Sequence, residues 1–362
     1  MVIRLISFRH GARSLHSSHV RRMSDEPHRH PRRHPVRAID THAHWYPREW
    51  LDLFQRDGAA EGATLERAEK GYTIRTERIV NKFDDEFVDL ERRLAGMDRQ
   101  GVDVHALSLT APMVYWASPG FGLALSQAYN DAASAAHVSH PDRFVGMAMV
   151  PMQAPELALR ELERCARLPG MRGLYVATNV NGANLDERGF WDVYAKAEEL
   201  GWTVFLHPVD TMGRDRTERY YLKNLLGNPY DTGVAAASLV FGGVLERHPG
   251  LKVCLVHGGG FVPYQAGRWA HGWQVRGEPK VNIKQSPQPW IERFYYDTIL
   301  HSQTSLAFLV GSASPARVLL GSDYPYDMGT LECVRQVKAL AISEADKATV
   351  LGGEAWQLLG AA

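Results

Sequence analysis

The chain has 362 residues, 45% of them apolar and 23% charged, with a formal net charge of zero. This is the balance of a globular protein able to bury a large core and fold alone. The zero hides a split: residues 1–36 carry eight arginines against Asp25 and Glu26, so the remainder is net acidic and offers no basic surface for nucleic acid.

Residues 1–36 are expected to form an arm outside the fold. Met23 opens "MSDEP", and a His/Arg/Pro run follows at 27–35. From residue 37 onward, eight short apolar or β-branched runs recur. They are "RAIDTHAH" (37–44), "VDVHALSL" (102–109), "RFVGMAMV" (143–150), "MRGLYVAT" (171–178), "WTVFLHP" (202–208), "LKVCLVH" (251–257), "RFYYDTI" (293–299) and "RVLLGSD" (317–323). Between most of them lie stretches with apolar residues at three- and four-residue spacing, such as "APELALRELERCARL" (154–168) and "DERGFWDVYAKAEELG" (186–201). This spacing predicts amphipathic helices, the second ended by a glycine.

Eight strands, each returned to its neighbour by a helix, predict an α/β fold of the (β/α)8 TIM-barrel type spanning 37–362. An open doubly wound sheet lacks its usual support, because no glycine-rich phosphate turn follows the first strand. The barrel is expected to be distorted by an insertion at 45–98, rich in charge and ending in the helical "EFVDLERRLAGMDRQG". A second excursion at 209–232 precedes an apolar helix, "VAAASLVFGGVLERHPG". Loops that follow strands gather at the catalytic face of such a barrel, so both segments are expected over its mouth.

Polar residues fall at the ends of these runs: His42 and His44 on the first, His207 on the fifth, His257 on the sixth and Asp323 on the eighth. Residues two apart in a strand share a face, so His42 and His44 point together. Three imidazoles and one carboxylate are ligands suited to zinc, and equally to manganese or cobalt, with a position left for water or substrate. The fourth run, "MRGLYVATNV", offers no carboxylate or lysine to bridge a second ion, so one ion is expected.

Trp116, with Tyr115 and Met113, follows the second strand and is expected to line an apolar pocket wall. His301 follows the seventh strand near the mouth and is a candidate substrate contact. Cys165, Cys254 and Cys333 are odd in number and widely spaced, which speaks against disulfides and for a reducing, cytoplasmic compartment. No apolar run approaches the roughly 20 residues that cross a bilayer.

The motifs "DTHAH", "FLHPVD", "LVHGGG" and "LLGSDYP", in this order, resemble the amidohydrolase superfamily. Within it they are most similar to the amidohydrolase-2 branch around 2-amino-3-carboxymuconate-6-semialdehyde decarboxylase. "FGGVLERHPGLKVCLVHGGG" and "ERFYYDT" extend the likeness from about residue 37 to the C-terminus. The resemblance implies that His42, His44, His207 and Asp323 bind a single zinc ion and that His257 is the general acid/base. It also implies that Arg78 holds a substrate carboxylate and that Arg268 enters the neighbouring subunit's site, making the enzyme a homodimer.

Val209 stands where that branch carries tryptophan. The difference opens the pocket beside the metal and points to another substrate rather than to other metal chemistry. The expected activity is metal-dependent, non-oxidative decarboxylation of a small unsaturated or aromatic acid. The same constellation suits hydrolysis of a lactone, ester or amide, or hydration of an unsaturated diacid.

Overall fold

The computed structural model describes residues 37–360, so the expected arm at 1–36 lies outside the described residues. Eleven strands are numbered in chain order: β1 (Ile39–His44), β2 (Thr64–Arg67), β3 (Tyr72–Arg75), β4 (Val80–Phe83), β5 (Val104–Ser108) and β6 (Phe144–Ala148), followed by β7 (Met171–Ala177), β8 (Thr203–His207), β9 (Lys252–Leu255), β10 (Tyr295–Asp297) and β11 (Val318–Leu319). Eight of them form one parallel sheet in the order β1-β5-β6-β7-β8-β9-β10-β11. Backbone bonds from Thr41 N to Leu320 O (2.9 Å), Asp323 N to His42 O (2.9 Å) and His44 N to Tyr324 O (2.7 Å) join its two ends into a barrel.

All residues of β1, β5, β6, β8, β10 and β11 are buried. A parallel strand covered on both faces needs apolar side chains on both, hence the continuous apolar runs. Phe144, Phe205, Val204 and Leu206 are among the wholly buried members of this core, each contributing about 1.5–3 kcal/mol by burial. Helices pack outside. The segment read at 186–201 is helical over Trp191–Glu199, and that at 154–168 over Pro155–Cys165.

The insertion after β1 contains more order than its charge suggests. A helix at Arg48–Asp57 precedes an antiparallel sheet, β2-β3-β4, and a helix at Leu90–Gln100. Asp89 caps that last helix by accepting from Glu91 N and Arg92 N, and Gly101 ends it with φ 71°. The three added strands are four residues each, and β2 is exposed at all but Leu65, too short and too charged for a periodic signal.

The apolar helix expected through residue 250 runs instead over Asn228–Phe241. Gly243, at φ 81°, breaks it before a short turn at Val244–Arg247. A π-helical turn at Lys223–Gly227 leads into this helix and brings the 209–232 excursion over the barrel mouth.

Candidate metal centre

His42 and His44 lie on β1 and point into the barrel, where a shift in the pairing with β5 falls between Asp40 and Ala43. His207 is the last residue of β8. His257 and Asp323 lie beyond their strands rather than on them, the first opening a turn after β9 and the second four residues past β11. Both have left-handed backbones, at φ 54° and 57°. That conformation costs on the order of 1–3 kcal/mol outside glycine, and histidine and aspartate tolerate it better than most residues.

The side chains of His42, His44, His207 and Asp323 converge, with one ligand atom of each within 4.8 Å of all the others. Asp323 Oδ1 lies 3.2 Å from His42 Nε2 and 3.0 Å from His44 Nε2. The His207 ring centroid is 5.2 Å from that of His42 and 4.8 Å from that of His44. His257 stands beside the cluster, its Nε2 3.7 Å from Asp323 Oδ2 and its ring 5.1 Å from His42.

A second layer holds these rings. His42 Nδ1 is 2.6 Å from Asp297 Oδ2, and His44 Nδ1 is 3.0 Å from Ser108 Oγ. Asp297 Oδ1 also accepts from Gly258 N at 2.8 Å. Gly258 has φ 61°, and a Cβ there would overlap Leu300. Asp297 therefore sits behind His42 and does not face substrate. Asp40 serves the backbone instead, accepting from His42 N (2.9 Å) and Ser322 N (3.1 Å); burial pushes its carboxyl up to about 6.

Arg93 is wholly buried, donates from Nη2 to the His44 carbonyl, and lies 3.2 Å from His105 Nδ1. Ser108 and Arg93 carried no sequence signal, since nothing in their spacing relates them to β1.

Burial opposes a charge on His42, but Asp323 and Asp297 outweigh it and hold the imidazole up at about 10. His44 is drawn down to about 4 by burial and by charge on His42, and burial puts His207 well below the usual imidazole range. Burial also works against ionisation of Asp323, yet His42, His257 and His44 hold it well below the carboxylate range. One proton on His42 thus balances the cluster. Both ring nitrogens of His207 are buried with no hydrogen-bond partner, a cost of about 1–3 kcal/mol for a group left unsatisfied. A divalent cation bound by the four side chains would use one of those two nitrogens, and the donor set suits it.

The centre opens into a cavity of about 340 Å³ lined by His207, Val209, His257, Asp323, Lys223 and Tyr326, among others. His301, itself at φ 54°, lines an adjoining lobe of about 240 Å³ that also touches His257 and Asp323. Trp116 and Arg78 lie elsewhere. Both line a third cavity, which shares Val209 with the mouth, and Arg78 Nε donates to Asp210 Oδ2 there. Arg268 is exposed on the helix Val262–Val275 and lines a groove that contains none of the ligands.

The amidohydrolase family profile matches residues 39–361. The chain belongs to that family. It is 35% identical over 328 residues to a 2-amino-3-carboxymuconate-6-semialdehyde decarboxylase of Dictyostelium discoideum, covering 89% of this chain and 91% of the relative. Among solved structures, 5-carboxyvanillate decarboxylase of Sphingomonas paucimobilis superposes with TM-score 0.77 at 25% identity, over 90% of this chain and 99% of its own. A dihydroxybenzoic acid decarboxylase of a Polaromonas species, solved with manganese and 2-nitroresorcinol, gives TM-score 0.74 at 24% identity, over 90% and 97%. Decarboxylases thus recur among the relatives of this member of the amidohydrolase family. No described helix is long and apolar enough to cross a membrane.

Proposed function

We propose that this amidohydrolase-family protein is a divalent-metal-dependent, non-oxidative decarboxylase of a small aromatic or unsaturated carboxylic acid. The observation that carries the reading is the convergence of His42, His44, His207 and Asp323 beside an open cavity. Its support is a decarboxylase relative aligned over 89% of the chain. A bound cation there would polarise substrate oxygens and offset the negative charge that develops as the carboxylate departs.

His257 is the proton donor in this reading. The carbon–carbon bond breaks, carbon dioxide leaves without the bonding electrons, and the carbon that keeps them takes a proton from the imidazole. Lys223 and Asn224 line the mouth with donors that can hold the acid. Arg78, implied by the resemblance to hold a substrate carboxylate, stands in the adjoining cavity with its Nε donating to Asp210.

The reading includes zinc as the ion, since three imidazoles and a carboxylate suit it. It also includes a cytoplasmic setting, in keeping with three buried, unpaired cysteines. A homodimer would let Arg268 enter the neighbouring site. Its exposure, and that of Tyr264 on the same helix with Phe308 at 6.0 Å, supports an assembly through this face.

Metal analysis of the purified protein, with a screen of hydroxylated benzoates and muconate semialdehydes for released carbon dioxide, tests the reading. About one equivalent of zinc and loss of one carbon are expected. Two products that together retain every substrate carbon would indicate hydrolysis and overturn it.

A further inference from the structure

The third cavity, of about 320 Å³, takes no part in the chemistry above. Its size alone puts it in the range of small-ligand pockets, about 300 Å³ and upward. Ile79 and Val209 line both it and the metal mouth, and both side chains are buried. Two branched aliphatic residues are therefore the sill between the two spaces.

One wall is aromatic and firmly placed. Tyr115 is buried, and Trp116 packs its ring 5.2 Å from Phe54 while its indole N–H donates to Met113 O at 3.2 Å. The charged part of the lining is biased: among the described residues Glu61, Glu77 and Asp210 stand against the guanidinium of Arg78. Glu61 accepts from Ser118 N (2.9 Å) and Ser118 Oγ (2.7 Å), which fixes one carboxylate at the rim. An aromatic wall beside excess negative charge favours an apolar group that carries no anion.

We propose that this cavity is a subsite for a second arm of the substrate. The acid whose carboxylate enters the metal mouth bears an extended, non-anionic substituent that passes Val209 and Ile79 and lies against Tyr115 and Trp116. The identity of the acid rests on the decarboxylase reading; the subsite itself rests on the cavity.

The test uses the zinc-loaded full chain and 6-alkylsalicylates with arms from methyl to pentyl. Pentyl members ending in hydroxyl, ammonium or carboxylate complete the series. Dissociation constants by calorimetry and kcat/KM for carbon dioxide release are measured separately. Affinity is expected to rise by roughly fourfold per added methylene until the cavity is full. The carboxylate-ended arm should bind at least about tenfold more weakly than the hydroxyl-ended one.

Val209→Trp should lower the pentyl-to-methyl affinity ratio by at least about tenfold through filling the sill. Glu77→Lys, an exposed change with little bearing on folding, should shrink the penalty on the carboxylate-ended arm. Affinities that ignore arm length in the unmodified protein, a ratio untouched by Val209→Trp, or no binding by any member overturn the subsite. If the affinities follow the pattern while no member loses carbon dioxide, the subsite stands and the decarboxylase reading falls.

Discussion

His42 Nδ1 and Asp297 Oδ2 lie 2.6 Å apart with both side chains buried, tying β1 to β10 directly behind the metal centre. The bond fixes which imidazole nitrogen faces the centre and raises its basicity. Asp297→Asn keeps the shape and removes the charge. It should weaken metal binding by about 10–100-fold, measured by competition with a chromophoric chelator; unchanged affinity would mean that Asp297 only supports the Gly258 turn.

His207 is the ligand with least to do in the absence of an ion, since neither ring nitrogen finds a partner. Replacing an unsatisfied buried group by an apolar one of similar shape is nearly neutral or stabilising. His207→Leu should therefore leave the melting temperature of chelator-treated protein equal or higher while metal content collapses. A large loss of stability in the metal-free variant would contradict this account of the centre.

Proton competition follows from the charges in the cluster. His42, held up at about 10 by Asp323 and Asp297 against the effect of burial, is protonated at neutral pH, whereas His44 at about 4 is already neutral. Metal binding must displace that proton, so affinity should rise with pH by about tenfold per unit between roughly pH 5 and 9 and flatten above. Calorimetry in buffers of different ionisation enthalpy should register release of about one proton. A pH-independent affinity across that window would place the proton elsewhere.

His257 and Asp323 separate proton transfer from metal binding. His257→Ala should retain the ion and lose turnover by about 10²–10⁴-fold, whereas Asp323→Ala should lose both. Metal analysis and carbon dioxide release on the same preparations decide it. An active His257→Ala would remove this residue from the mechanism.

The strands were legible because a parallel strand covered on both faces must be apolar throughout, and β1 and β5 to β11 fall within the eight runs read from the chain. His42, His44 and His207 were legible because they lie at strand ends. The sheet β2-β3-β4 was not, since strands of four residues each are too short to show a period that sets them apart from a charged loop. Asp297 lies in the seventh run, and only its distance to His42 shows that it stands behind the ligand.

By itself the sequence determined the barrel and its ligand types, because burial periodicity and metal preference are local properties of a residue and its near neighbours. Tertiary structure alone decided that His42 turns its Nδ1 to Asp297, that Arg78 pairs with Asp210, and that Val209 and Ile79 divide two cavities. Those relations arise when strands far apart in the chain are brought side by side by closure of the barrel, and no spacing along a single segment encodes them.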